Sequence, residues 1–232
     1  MTLKDRVTVK RVETESARAD ALTVLQATYR QEKNWVSDES NVFPVEDLSN
    51  SSVSWFVVYV DVAPVGVLRV LYDPPLELYR DYGFKQIGQG IDVEAFIRSH
   101  RIAEVGRFAV LPEYRKYIMV VVRLMGAASK ETVSLGYTHY ITDIFEGERH
   151  SPYQFHTHVM GFEPVATHDV GELNCPNRRI TMILDLRASY QRLRTAQNWI
   201  YRLLTENWDP ALHDRLLQEP VTHVPPRPIS PP

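Results

Sequence analysis

A mixed α/β fold, one sheet with helices on both faces, is what this sequence predicts, and three observations carry that reading. Residues 54–61 (SWFVVYVD) and 65–72 (VGVLRVLY) are rich in β-branched and aromatic residues and are separated by a turn at Ala63-Pro64, so they read as a hairpin. From residue 102 onward, strand-like and helix-like runs alternate, which places helices against a sheet. Neither a Gly-x-x-x-x-Gly-Lys-Ser/Thr loop nor a Gly-x-Gly-x-x-Gly fingerprint is present, which argues against the nucleotide-binding versions of such a sheet.

The elements follow in order. Residues 16–31 form a first helix with apolar positions at Ala21, Leu22, Val24, Leu25 and Tyr29 and with Ser16 as N-cap. A polar stretch holding Trp35, Phe43 and Pro44 leads to the hairpin, which Pro74-Pro75 ends because proline removes a ladder donor. Residues 76–100 are polar and mixed, with weak helical character at 94–98. Residues 102–110 (IAEVGRFAV) alternate apolar with polar as a third strand. Residues 117–132 are the clearest helix, apolar nearly all round its first turns and therefore buried. A strand at 137–145, a short helix at 152–160 and strands at 162–170 and 179–186 come next. A helix over 187–207 carries an apolar stripe at Tyr190, Leu193, Ala196, Ile200, Leu203 and Leu204.

One domain is expected over residues 1–208, with the insertion 74–101 and the helix 187–207 as walls upon it. Residues 209–232 are expected to be a disordered Pro-rich tail, since the last 13 residues hold six prolines. At 232 residues the chain can bury a sizeable core, and 44% hydrophobic with 24% charged residues rules out wholesale disorder. A net charge of −3 supports no general surface for nucleic acid or anionic membrane. The single cysteine, Cys175, excludes an intrachain disulfide and a cysteine-based zinc site. With no apolar leader and no stretch long enough to span a bilayer, a cytoplasmic location is expected.

Glu104-Val105-Gly106-Arg107-Phe108-Ala109-Val110 resembles the Glu-x-x-Arg-Phe-x-Val signature of the N-acyl amino acid synthases and the acyl-homoserine-lactone synthases. These are branches of the GCN5-related N-acyltransferase (GNAT) superfamily. Trp35 and the Gly66-x-x-Arg69 run stand where those families carry a Trp and a Gly-x-x-Arg, and the order of elements is similar. The resemblance covers about two-thirds of the chain, residues 35 to 186. It implies a mostly antiparallel mixed sheet and transfer of an acyl group from a phosphopantetheine thioester to an amine. No permanently bound cofactor is implied. Acetyl-CoA users carry a Gly-rich pyrophosphate loop before the main helix, where this chain has Arg115-Lys116-Tyr117-Ile118. A donor with one phosphate, such as acyl carrier protein, asks less of that loop, because helix N-terminal amides and basic side chains suffice.

The resemblance implies a set of roles. Glu104 accepts the ammonium proton, and Arg107 holds Glu104 or an acceptor carboxylate, with Arg69 a second candidate for that carboxylate. Trp35 shapes the substrate pocket. Phe108, Ala109 and Val110 present backbone to the donor, and Arg115, Lys116, Tyr117 and Ile118 take its phosphate end. Glu104 and Arg107 stand three apart, on opposite faces of a regular strand, so the pair requires a bulge. The tyrosine that many acetyltransferases use to protonate the thiolate falls on Thr157, leaving Tyr153, His156 and His158 as substitutes, the first two foremost. His156 and His158 do not share a helix face and have no carboxylate at ligand spacing, so no metal site is expected. Arg115, Lys116, Arg123 and Lys130 are candidates for a local patch facing an acidic carrier protein.

The leading expectation is an N-acyltransferase moving a medium or long acyl group from acyl carrier protein or acyl-CoA to a small amine, an amino acid foremost. The alternatives are an acyl-homoserine-lactone synthase using S-adenosylmethionine, an acetyl-CoA N-acetyltransferase, and a catalytically silent acyl-binding protein.

Overall fold

The computed structural model describes residues 3–36, 42–75, 80–87, 91–197 and 199–218. The strands are β1 Val7–Arg11, β2 Val53–Val60, β3 Ala63–Tyr72, β4 Lys85–Gln86, β5 Ile102–Val110, β6 His139–Phe145, β7 Glu163–His168 and β8 Arg179–Asp185. They form one sheet in the order β1-β2-β3-β5-β6-β8-β7-β4. Every neighbouring pair is antiparallel except β5 with β6, the mixed but mostly antiparallel sheet that the family resemblance implies. Strand β1 has no counterpart in the sequence reading, because five residues beside a longer partner carry too little alternation to stand out.

The helices are α1 Leu3–Arg6, α2 Glu15–Leu25, α3 Val93–Ser99, α4 Ile118–Ser134, α5 Leu186–Ala196, α6 Trp199–Leu204 and α7 Pro210–Leu217. Burial divides by face. On one face Leu68, Val70, Ala103 and Val105 share a core with Val120, Leu124, Met125 and Ala128 of α4 and with Leu203 of α6 and Leu212 of α7. On the other, Val57 and Val67 pack with Ala21, Val24 and Leu25 of α2. Further along that second face, Ile102, Ile141 and Ile183 pack with Val93 and Ile97 of α3. Each such side chain contributes about 1.5–3 kcal/mol on burial. Between the α2 and α3 cores the middle of the sheet carries polar side chains, and the candidate site lies there.

Helix α2 starts one residue earlier than expected. Thr14, not Ser16, is its cap and accepts from the Ala17 amide at 3.2 Å. It continues as a π-helical turn over Gln26–Glu32, in which Thr28 returns its hydroxyl to the Val24 carbonyl at 2.7 Å. The helix expected over 187–207 is broken where Gln197 takes φ +50°. That break lets α6 fold back across α4, where Gly126 admits it: a Cβ there would stand 3.1 Å from the Leu204 carbonyl oxygen.

The expectation of a disordered tail from 209 needs correction. Asp209 caps α7 by accepting from the Leu212 amide at 3.0 Å, Pro210 sits in its first turn, and Leu212 and Leu216 are buried. The proline density begins only beyond α7, and residues 219–232 lie outside the described residues. No helix among the described residues is long and apolar enough to cross a membrane.

Candidate active site

Strands β5 and β6 pair only at Ile102↔His139, Ala103↔Tyr140 and Glu104↔Ile141, and then diverge. The start of the opening is held by the Thr142 hydroxyl, which donates to the Val105 carbonyl at 2.7 Å. On its other edge β5 is bulged against β3: Val67 faces Ala109 but Arg69 faces Gly106, so β5 uses one extra residue. Arg107 absorbs it with φ +49°, a left-handed conformation that costs a non-glycine residue about 1–3 kcal/mol. The bulge required by the spacing is therefore present.

Its effect is to gather Glu104 and Arg107 into one cluster. Arg69 Nη2 donates to Glu104 Oε1 at 2.8 Å, and Arg107 Nη2 donates to Glu172 Oε2 at 2.7 Å. Arg69 Nη2 stands 3.9 Å from that same Glu172 oxygen. The Nε atoms of both arginines are buried with no hydrogen-bond partner. The loop that carries Glu172 is spanned by buried Arg179, which donates to the Asp169 and Leu173 carbonyls at 2.9 and 2.6 Å. Gly171 permits this, since a Cβ would fall 2.6 Å from Arg179 Nε.

A cavity of about 490 Å³ runs through the opening from the α4 face to the α2/α3 face. Val105, Phe108, Ile118, Val121, Ile144 and Phe155 make its apolar lobe, and the arginine–glutamate cluster with Tyr82 and Asp143 makes its polar lobe. Six cationic side chains line it against four carboxylates, so an anionic group is attracted inward although the whole chain is acidic. Trp35 packs on Phe145 at 4.4 Å and edge-on to Tyr29 at 5.4 Å. The Tyr29 hydroxyl donates to the Phe108 carbonyl at 3.3 Å. Burial pushes that phenol up to about 12, and Arg107 and Arg69 oppose the shift.

Of the residues predicted from sequence, Trp35, Arg69, Glu104, Arg107, Phe108 and Ala109 line the cavity, as do Val110, Arg115, Ile118 and His156. Lys116, Tyr117 and Tyr153 do not. Lys116 lies over the Tyr117 ring at 5.0 Å on the exposed surface, and Tyr153 packs against the α4-side core. Arg115 is engaged inside the protein: it donates to the Val110 carbonyl at 2.9 Å and bridges both oxygens of Glu32. Arg123 is likewise paired, with Glu206. Two members of the expected carrier-protein patch thus already hold carboxylates.

His156 reaches the cavity but does not suit the role of acid. Its Nδ1 lies 3.0 Å from the Pro152 carbonyl, so that nitrogen holds the ring proton, and burial pushes the imidazole down to about 4. At neutral pH its Nε2 is an acceptor. Sequence reasoning missed Tyr29, Tyr82, Asp143, His168 and Glu172. Asp143 had a signal, a lone carboxylate in the apolar run ITDIF; Tyr82 and Glu172 lie in stretches without periodicity.

A sheet split at its parallel pair, with a bulged central strand and a cavity through the opening, is the architecture of the GNAT fold. Among solved structures the chain is similar to FeeM, an N-acyl amino acid synthase from uncultured soil microbes. The two share 15% identity with a TM-score of 0.61, over 83% of this chain and 98% of that one. It is also similar to the ribosomal-protein-S18-alanine N-acetyltransferase of Escherichia coli, at 10% identity and TM-score 0.51 over 78% and 94% of the two chains. An aminoglycoside 6'-N-acetyltransferase complexed with coenzyme A matches at 14% identity and TM-score 0.52, over 77% and 97%. At such identities the likeness shows the fold. No family model and no curated protein matches the sequence.

Proposed function

We propose that this protein is an N-acyltransferase that moves a medium or long fatty acyl group from a phosphopantetheine thioester, carried by acyl carrier protein, to the amine of an amino acid. The observation that supports the acceptor class is the arginine pair: Arg69 and Arg107 converge on the opening in the sheet with buried, unpartnered Nε groups. Guanidinium groups placed so suit a carboxylate better than a polyamine or a sugar amine. Glu104 and Glu172 keep the two arginines aimed, at 2.8 and 2.7 Å.

The donor enters along the part of β5 that β6 leaves unpaired, and backbone at Phe108–Val110 faces its carbonyl. The engagement of Arg115 with Glu32 and Val110 supports carrier protein over CoA, since that arginine is not free for a pyrophosphate. Amides at the start of α4, near Ile118, remain for a single phosphate. The apolar lobe receives the acyl chain. We place the reaction in the cytoplasm, where such a carrier protein is its partner.

The test is a matrix of purified protein, acyl carrier protein charged with chains of increasing length, and a panel of amino acids, read by mass spectrometry. An acyl amino acid is expected, with acyl-CoA a poorer donor. Absence of any acyl amide across the matrix overturns the proposal. A homoserine-lactone product from S-adenosylmethionine redirects it to the alternative synthase. Tight calorimetric binding of CoA redirects it to an acetyltransferase, the reading favoured by the CoA complex of a similar structure.

A further inference from the structure

The carboxylate of Glu172 lies where two guanidinium groups converge. Arg107 Nη2 donates to its Oε2 at 2.7 Å, and Arg69 Nη2 stands 3.9 Å from the same oxygen. One anionic oxygen thus sits in the field of both arginines, the place that an acceptor's carboxylate needs. The four members of this cluster are not equally enclosed. The side chains of Arg107, Arg69 and Glu104 are 11, 14 and 21% exposed, whereas that of Glu172 is 38% exposed.

The two carboxylates also differ in what carries them. Glu104 belongs to the paired part of β5, opposite Leu71 on one side and Ile141 on the other. Glu172 belongs to the loop 169–178 between β7 and β8. That loop is anchored around it: Arg179 donates to the Asp169 and Leu173 carbonyls, and the Asn174 amide donates to the Trp35 carbonyl at 2.8 Å. With the backbone held, rotation of the Glu172 side chain between rotamers is enough to carry its carboxylate off the arginines and into solvent. Nor does Glu172 use all that Arg107 offers. It takes Nη2, while Arg107 Nε is buried with no hydrogen-bond partner among the described residues. A carboxylate that meets a guanidinium side-on takes Nε and one Nη together, a pairing that Glu172 leaves unmade.

We propose that Glu172 is the specificity-determining residue of the acceptor site. In the resting protein it covers the arginine pair as a stand-in for the acceptor's carboxylate, and it turns outward when an amino acid binds. This rests on the acyltransferase reading and deepens it by naming what the acceptor must displace. An amine without a carboxylate has nothing to put in the place of Glu172, so it leaves the Arg107–Glu172 pair closed. The same pair weakens the binding of amino acids, because only molecules with uncovered arginines take them directly. A pair made about nine-tenths of the time lowers the apparent affinity for a competing carboxylate about tenfold. The exchange makes and breaks no covalent bond: one carboxylate replaces another on the same cations.

The test compares the full wild-type chain with Glu172→Gln, which keeps the shape and removes the charge, and with Glu172→Ala, which removes both. With the amino acid that wild type acylates fastest, KM is expected to fall about five- to tenfold in both variants, the effect lying in KM rather than kcat. For the amide of the same amino acid, which has no carboxylate, kcat/KM is expected to change by less than about twofold. A KM that rises in the variants, or a gain of equal size with the amide, overturns the proposal and leaves the acyltransferase reading intact. Calorimetric titration with N-acetylglycine, a carboxylate with no amine to acylate, reads the same exchange without turnover. Its affinity is expected to be about five- to tenfold higher for the variants than for wild type. Equal or lower affinity, or no binding to any of the three proteins, overturns the proposal. Absence of turnover by wild type with every donor and acceptor overturns the acyltransferase reading, and the titration then decides separately whether Glu172 stands in for a carboxylate.

Discussion

Buried His156 makes the fold sensitive to mild acid, with a sign and size that follow from its surroundings. Its ring lies beneath Phe108, Phe155 and Phe162, with Nδ1 at 3.0 Å from the Pro152 carbonyl. Burial pushes it down to about 4, whereas an unfolded histidine titrates near 6.5. Between those values the unfolded chain binds a proton that the folded protein refuses, so stability rises with pH there and falls as the solution is acidified. The gap corresponds to about 3 kcal/mol, present in full above pH ~6.5 and lost by pH ~4. His139, also pushed down to about 4 by burial, adds to the loss in the same window. The assay is urea unfolding of wild type and His156→Gln from pH 7.5 to 4. The advantage of wild type over the variant is expected to shrink by about 3 kcal/mol on acidification, because glutamine does not titrate. A difference that stays constant across the range refutes the reasoning.

Three further outcomes follow from the contacts. Truncation after Trp208 removes buried Leu212 and Leu216, together with the Arg215 donation to the Val133 and Ser134 carbonyls at 2.6 and 2.7 Å. It should destabilise the protein by about 3–6 kcal/mol, read as a fall in urea midpoint. Gly171→Ala drives a Cβ to 2.6 Å from Arg179 Nε and so moves the Glu172 loop. The expected result is a rise in acceptor KM with little change in donor KM, and unaltered acceptor kinetics count against the clamp. Arg107→Gly relieves a left-handed residue but deletes the guanidinium opposite Glu172. Stability is expected to change by less than about 1 kcal/mol while acylation of amino acids collapses, so equal losses in both refute the division.

Much of this protein was legible locally. β-branched and aromatic content marked the hairpin, alternation marked β5, and a run apolar nearly all round marked α4, because those signals depend on neighbours in the chain. Most of the residues quoted for the family resemblance, Trp35, Arg69, Glu104 and Arg107, line one cavity. Tyr153, Lys116 and Tyr117 fall outside it, since spacing along a segment does not say which way the segment turns. The α7 helix shows the same limit: Asp209-Pro210 is a start signal, but its meaning came from the groove that Leu212 and Leu216 fill.

What the sequence by itself determined is the mixed sheet and the order of its main elements, encoded by period and composition, while the polar residues of the central strand came from the family resemblance. Only the tertiary structure decided which carboxylate meets which cation. Glu104 is held by Arg69, thirty-five positions away, Arg107 by Glu172 at a separation of sixty-five, and Asp143 of β6 meets His168 of β7 across the intervening β8. A side chain's chemistry at a site is set by what stands within a few ångströms of it, and in a split sheet those neighbours come from strands and loops that the chain reaches much later.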